Sequence, residues 1–121
     1  MENRGIYMVI YTGPGQPDNA KKPEWLTLST GCCKFGQSLD LANVEKRYTK
    51  HLNGDCELII AGRFKDRDDI DAIEKMLHHK LSDNRLININ GRPSEWMEPL
   101  AQETLSNTLR EVINERFSIG L

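Results

Sequence analysis

The sequence lacks the features that identify several classes of protein. No apolar run among its 121 residues approaches the ~20 residues of a membrane span. The three cysteines form no CxxC pair, so neither a disulfide framework nor a cysteine zinc site is expected. Met1-Glu2-Asn3-Arg4 leads directly into a strand-like segment, and we expect no signal peptide. With no repeat or low-complexity segment, the sequence indicates a single domain over residues 1–121, cytoplasmic and with reduced thiols.

A strong positive charge is also missing. The formal net charge is −2, which argues against a general nucleic-acid coat, because such proteins are usually basic overall. Residues 21–65 nevertheless hold eight lysines and arginines against five aspartates and glutamates, whereas the remainder of the chain is acidic. Any polyanion is therefore expected to bind near the first half of the chain.

Apolar periodicity predicts an α+β domain. Strands are expected at residues 6–11, 32–35 and 56–64, the second ended by Gly36. Helices are expected at about 39–52 with Ser38 as N-cap, from an Asp66 or Asp68 cap through Leu81, and at about 99–117. Because the first two strands are short and close in sequence, we expect a small, mostly antiparallel sheet of about three strands flanked by helices.

Two other segments are assigned less structure. Residues 13–24 are rich in proline and glycine and predict a surface loop. Residues 25–29 are either a short extra strand or an anchor for that loop. Residues 82–94 are rich in turn-forming residues, and we expect no strand there.

Five short motifs follow one another in an order that suggests phosphodiester chemistry. They are Gly5-Ile6-Tyr7, Lys34-Phe35-Gly36-Gln37-Ser38, Arg47-x-x-x-His51, a helical Glu74 and Glu95-Trp96-Met97. Each motif alone is weak. Together they contain the parts needed to cleave a phosphodiester with one metal ion, namely a base, a phosphate clamp and a metal ligand.

In this order the motifs resemble those of the GIY-YIG nuclease superfamily, especially its phage and bacterial branch of small DNA-binding domains. The resemblance covers about residues 5–97 and leaves the helix at about 99–117 as a C-terminal addition. It implies a GIY-YIG-like fold and an endonuclease or nickase that cuts DNA with Mg²⁺ or Mn²⁺. Double-stranded DNA is the expected substrate. A role in phage, mobile-element or defence biology is what such a resemblance suggests.

The resemblance also implies a role for each motif residue. Tyr7 would act as the general base, and its phenol would need help to ionise because its ordinary pKa is about 10. Arg47 would hold the scissile phosphate, since a guanidinium matches two phosphate oxygens. His51 would orient Tyr7 or a water molecule. Glu74 would bind the Mg²⁺ or Mn²⁺ ion, because such hard cations favour oxygen ligands. We add Lys34 to the catalytic set from its place in the second motif, although it is not a residue that the family pattern has there.

The chain departs from the family pattern at Lys34, which stands where the second motif begins with an aromatic residue. A lysine there either stabilises a Tyr7 phenolate, touches the phosphate, or marks a protein that has kept binding and lost catalysis. The loop over residues 12–31 is longer than the usual turn, and we expect no appended DNA-reading domain. Contacts to nucleic acid are assigned to Lys34, Arg47, Lys50 and Arg63.

Each of these residues also has an ordinary structural interpretation. Tyr7 alternates with apolar strand residues, Lys34 is typical of an edge strand, and His51 suits a helix C-terminus. Glu74 is typical of a solvated helix position, His78 of packing or a hydrogen bond to Glu74.

Two alternatives to a nuclease therefore stay open at this point. One is a non-catalytic nucleic-acid-binding module of the same fold. The other is an interaction or adaptor protein, favoured by the net charge and by the acidic start of the second helix. A homodimer is an alternative to a monomer, with the last helix as core or as dimer face.

Overall fold

The structure is a computed structural model that describes residues 3–19 and 21–117. The described strands are β1 Gly5–Tyr11, β2 Gln16–Pro17, β3 Thr27–Leu28, β4 Cys33–Ser38, β5 Cys56–Arg63, β6 Arg85–Ile87 and β7 Pro93–Met97. The described α-helices are α1 Leu41–His51, α2 Arg67–Leu81 and α3 Gln102–Phe117. Short 3₁₀ turns lie at Ser82–Asn84 and Pro99–Ala101.

The expected sheet of about three strands is wrong in its strand number. The main sheet has five strands in the order β5-β1-β4-β7-β6, all paired antiparallel, and β2 and β3 form a separate two-stranded ribbon. The segment 82–94, expected to hold turns, contains β6 and the start of β7. β6 has three residues and β7 begins with a proline, so neither shows a recognisable alternation. The expected α+β class and antiparallel pairing are confirmed.

Helices cover both faces of the main sheet. Side chains of a strand point alternately to opposite faces, and β1 divides its apolar residues accordingly. Tyr7 and Val9 pack in the core that includes α1, whereas Ile6 and Met8 pack in the core that includes α2 and α3. Residues on α1 and on α2 therefore lie on opposite sides of the sheet.

The helix ends follow from local capping. α1 begins two residues later than expected, because Asp40 and not Ser38 accepts the hydrogen bond from the Asn43 amide. Asn53 and Gly54 adopt positive φ angles of 55° and 80°, which end that helix. Asp66 caps α2 by accepting from the Asp68 amide. Among the described residues, no helix is long and apolar enough to cross a membrane.

The β2–β3 ribbon closes the core on the α1 side. Leu28 of β3 is fully buried in that core. Trp96 Nε1 of β7 donates a hydrogen bond to Asp18 Oδ1 at 2.7 Å, and the Ile89 amide donates to the Trp25 carbonyl oxygen. The long loop is thus attached to β7 and to the segment before it. Cys32 and Cys33 are buried free thiols, and Cys56 is a half-buried free thiol.

We expect Leu77→Ala to lower the free energy of unfolding by about 2–5 kcal/mol, because it removes a fully buried side chain from the core between the sheet and α2. The neighbouring Met76 on α2 is 41% exposed and offers a matched control. Met76→Ala should cost well under half as much in the same urea titration. Equal losses in the two variants would contradict the assignment of the α2 face that packs on the sheet.

Candidate active site at the gap between two strands

A cleft opens where β4 and β7 separate. The recorded pairing of these strands is a single bridge, Cys33 to Met97, so the rest of β4 is paired on its β1 side only. The cleft beside this unpaired edge has a volume of about 400 Å³. It is lined by Tyr7, Lys34, Phe35, Gly36, Gln37, Arg47, Tyr48, Glu74, His78 and Glu95.

The gap brings together residues from both faces of the sheet. Successive residues of β4 point to opposite faces, and all four positions from Lys34 to Gln37 line the cleft. Arg47 enters from α1 on one side, and Glu74 enters from α2 on the other. The structure therefore places the predicted residues Tyr7, Lys34, Arg47 and Glu74 in one cleft.

Tyr7 lies flat against the neighbouring strand. It is buried, and its Oη accepts a hydrogen bond from Arg47 Nη2 at 3.3 Å. Gly36 is its cross-strand partner on β4, and a Cβ at position 36 would lie 2.5 Å from Tyr7 Oη. Any larger residue at position 36 would displace the phenol, so the glycine fixes the position of the Tyr7 ring.

The environment of Tyr7 favours its neutral form. Burial raises the pKa of Tyr7 well above its ordinary value, and the hydrogen bond with Tyr48 raises this pKa further. The positive charges of Lys34 and Arg47 lower the pKa of Tyr7, although by less. Burial likewise raises the pKa of Tyr48, whose ring centroid lies 5.9 Å from that of Tyr7. Both phenols are protonated at neutral pH in this structure.

Lys34 is buried beside the part of β4 that has no partner on its β7 side, so it is not the solvent-exposed lysine of an open edge strand. Its Nζ lies 2.6 Å from Glu95 Oε2, and it also lies 5.0 Å from the ring centroid of Tyr48. Burial raises the pKa of Glu95, but the hydrogen bond and charge of Lys34, with the charge of Arg85, bring that pKa below its ordinary value. Lys34 and Glu95 therefore form an ion pair across the gap between β4 and β7.

Glu74 is held at the margin of the cleft by two neighbours. Its Oε1 accepts a hydrogen bond from Gln37 Nε2 at 3.2 Å and lies 3.9 Å from His78 Nε2. The same Gln37 group donates to Asp71 Oδ1 at 3.0 Å. The His78 ring contacts Phe35 with a centroid distance of 4.9 Å. Gln37 and His78 therefore orient the Glu74 carboxylate.

The chemistry of this donor set limits the kind of metal site that fits. Within residues 3–19 and 21–117, no group of three or more His, Cys, Asp or Glu side chains is arranged to hold a metal ion. Mg²⁺ is commonly bound by one or two carboxylates, with water and substrate phosphate completing its shell. Glu74 fits that mode, in which the protein supplies one carboxylate and the substrate supplies the rest. A closed protein cage for a metal does not fit.

Three of the predicted residues lie outside this cleft. His51 lines a neighbouring cleft of about 230 Å³, which shares Lys34 and Arg47 with the first. Lys50 lies on the outer side of α1, and Arg63 lines a groove at the end of β5. Of the four residues assigned to nucleic acid, the structure brings only Lys34 and Arg47 into the cleft with Tyr7.

Sequence analysis missed three polar residues that line the cleft. Tyr48 fits the apolar stripe of α1 with Leu41 and Val44, so the sequence gives no signal for its hydroxyl group beside Arg47. Gln37 and Glu95 were noticed only as parts of motifs. Their partners, Glu74 and Lys34, are 37 and 61 residues away in sequence, so no local pattern predicts these contacts.

Comparison with known proteins adds no relative: no family model, no curated protein and no solved structure matches the chain.

We expect Glu95→Gln to lower the free energy of unfolding by about 1–2 kcal/mol at neutral pH, between the values for exposed and buried ion pairs, because Lys34 loses its carboxylate. The folded-state pKa of Glu95 is lowered, so its contribution is present above the ordinary carboxyl pKa of 4.5 and is lost as pH falls through the folded pKa. The difference from wild type should therefore shrink in acid. Glu98→Gln is the control in these urea titrations, and a difference that persists unchanged at acidic pH would contradict the pairing.

We expect the wild type to lose stability more steeply than Tyr7→Phe as pH rises above about 10. The raised pKa of Tyr7 keeps a proton on the folded protein that the unfolded chain releases near its ordinary value of 10.0. Stability from this group is thus fully present below that pH and is lost above it. Urea unfolding of both proteins between about pH 8 and about pH 11 measures the difference between their free energies of unfolding. The difference at about pH 8 is the reference value. Parallel curves for the two proteins would argue against a buried Tyr7 phenol.

Proposed function

We propose that the protein is a phosphodiester hydrolase of the GIY-YIG type, which nicks or cuts DNA with one divalent ion, Mg²⁺ or Mn²⁺. The observation that carries the proposal is the meeting of Tyr7, Arg47 and Glu74 in one cleft. They come from β1, α1 and α2, on both sides of the sheet, and Tyr7 Oη lies 3.3 Å from Arg47 Nη2. Residues suited to act as a base, a phosphate clamp and a metal ligand thus line one opening.

Each side chain has a role that its position supports. Arg47 donates to the non-bridging oxygens of the scissile phosphate and remains beside Tyr7 Oη. Tyr7, once ionised to the phenolate, accepts a proton from the attacking water. The water oxygen bonds to phosphorus as the phosphorus bond to the leaving sugar oxygen breaks, and that oxygen takes a proton from solvent. Glu74 holds the divalent ion, which when bound would stabilise charge on the phosphate and favour ionisation of groups near it. Gln37 and His78 keep the Glu74 carboxylate in place.

Because its pKa is raised, Tyr7 needs additional positive charge nearby before it can ionise and act as a base. The charges of Lys34 and Arg47 already lower this pKa, but burial dominates in the structure as it stands. A divalent cation near the phenol adds charge of the required sign. The chemistry is therefore expected to depend on the metal ion at neutral pH, and Lys34 contributes its charge from within the cleft.

The second candidate is a nucleic-acid-binding module without catalysis, with Arg47 and Lys34 as cations. The raised pKa of Tyr7 favours it, because a neutral phenol is not a base. Such a module would bind DNA with an affinity that falls steeply with salt and would leave the DNA intact. The two candidates therefore differ in one measurable product, the broken strand.

Plasmid nicking in Mg²⁺ or Mn²⁺ tests the proposal. Wild type should convert supercoiled DNA to open circles, and Glu74→Gln and Tyr7→Phe should each slow this by about 100-fold or more, as expected for loss of a metal ligand or a general base. Glu111→Gln is the matched control, because Glu111 is an exposed residue of α3 outside the cleft. This control should nick like the wild type.

The outcomes separate the candidates. Equal nicking by wild type and both cleft variants would remove Tyr7 and Glu74 from the mechanism. No nicking by any protein, together with salt-dependent DNA binding that Arg47→Ala abolishes, would establish the binding module. One cleft cuts one strand, so a double-strand cut requires a second copy of the chain or a second nick. A bacterial or phage DNA substrate would place this action in the cytoplasm.

A further inference from the structure

A second groove, of about 680 Å³, lies at the N-terminal end of α2 and is separate from the cleft. Its lining residues include four arginines and lysines against two aspartates. Both aspartates have partners. Asp66 accepts from the Asp68 amide as the cap of α2, and Asp69 Oδ1 lies 2.8 Å from Arg116 Nε. The groove therefore presents an excess of positive charge.

Three of its cations point to an anionic ligand with repeated charges. Arg63, Lys65 and Arg67 alternate along the chain from the end of β5 to the start of α2, and all three are exposed. Arg67 lies 3.9 Å from Asp71, and both side chains are well exposed, so that ion pair is weak. A polyanion can form ion pairs with all three cations at the same time.

An aromatic surface completes the groove. Phe64 and Phe117 stack with their ring centroids 5.4 Å apart and an interplanar angle of 15°. The inner ring, Phe64, covers Gly62, since a Cβ at position 62 would lie 2.5 Å from its Cζ. The outer ring, Phe117, is 45% exposed. Grooves that combine cations with an exposed aromatic ring are typical of proteins that bind single-stranded nucleic acid.

A chain of side-chain contacts along the first two turns of α2 connects the groove to the cleft. Arg67 pairs with Asp71, which accepts from Gln37, and Gln37 in turn holds Glu74 in the cleft. In the sheet, Gly5 lies between Ser38 of β4 and Arg63 of β5. Two strand spacings amount to about 10 Å. Arg63 in the groove is therefore about that far from the end of β4, the strand that lines the cleft.

We propose that this groove binds a single-stranded stretch of DNA flanking the phosphodiester in the cleft. Its phosphates contact Arg63, Lys65 and Arg67, and one of its bases stacks on Phe117. The assignment of the flanking strand rests on the proposed nuclease function, whereas the groove itself is defined by its own residues. An unpaired strand is the occupant because the face of a paired base is already covered by its neighbours in a duplex.

Fluorescence anisotropy with a labelled single-stranded DNA, in EDTA so that no strand is cut, tests the groove. Arg63→Ala/Lys65→Ala should weaken binding about tenfold at low salt and reduce the slope of log affinity against log salt by about 1.4, at about 0.7 for each phosphate contact. The control pair Arg92→Ala/Arg110→Ala removes the same charge from exposed positions outside the groove. It should leave that slope unchanged.

Stacking is tested at Phe117, because its exposed ring can be changed with little effect on the core. Phe117→Ala should weaken binding of the single strand about tenfold and leave binding of a duplex of the same sequence unchanged, and Phe117→Trp should retain the wild-type affinity. Thermal melting followed by circular dichroism checks that each variant is folded. A loss on both DNA forms, or retention by Phe117→Ala, would overturn the assignment of an unpaired base to this ring.

Plasmid nicking by the same variants separates this inference from the proposed function. Loss of single-strand affinity in Arg63→Ala/Lys65→Ala, with no nicking by the wild type, would support the groove and remove the nuclease. Nicking by the wild type, with charge and Phe117 variants that bind like the control pair, would overturn the groove and leave the nuclease.

Discussion

Lys34 places an ammonium group inside the α1-side core, where only 9% of its side chain is exposed, and Glu95 supplies a carboxylate 2.6 Å away. A buried ammonium is costly unless a carboxylate lies beside it, so β7 must run close to β4 at this point. Backbone pairing between the two strands is nevertheless recorded only at Cys33 and Met97. A side-chain ion pair thus spans the strands where the backbone ladder stops, and the opening beside it is the cleft.

The opening matters because the helices lie on opposite faces of the sheet. In a fully paired sheet, a residue of α1 and a residue of α2 would be separated by the sheet itself. At the free edge of β4 no strand intervenes, and Arg47 and Glu74 line the same cleft. Gly36 adds the second condition, because the space of its missing side chain is filled by the Tyr7 phenol. The site therefore depends on an interruption in the sheet and on one residue without a side chain.

The sequence predicts the parts of this arrangement that depend on local pattern. The strand of Tyr7 and the helices of Arg47 and Glu74 lie in long periodic segments, and the structure has each of them near its expected position. The sequence pattern does not predict β6 and β7, because these strands are short and irregular. The contact of Lys34 with Glu95 depends on which strands become neighbours, and no local pattern contains that information. The α+β class was therefore predictable, whereas the strand number and the shape of the cleft were not.

The acidic start of α2 also takes a different meaning once its contacts are known. In the sequence, this run of like charges favours an adaptor surface. In the structure, three of its four aspartates have partners within the chain. Asp66 caps the helix, Asp69 pairs with Arg116, and Asp71 accepts from Gln37. These carboxylates therefore hold the first turns of α2 in position between the cleft and the basic groove. An acidic run that orients neighbouring groups offers less free charge to a partner protein, so the net charge of −2 is compatible with a polyanion bound along that side of the molecule.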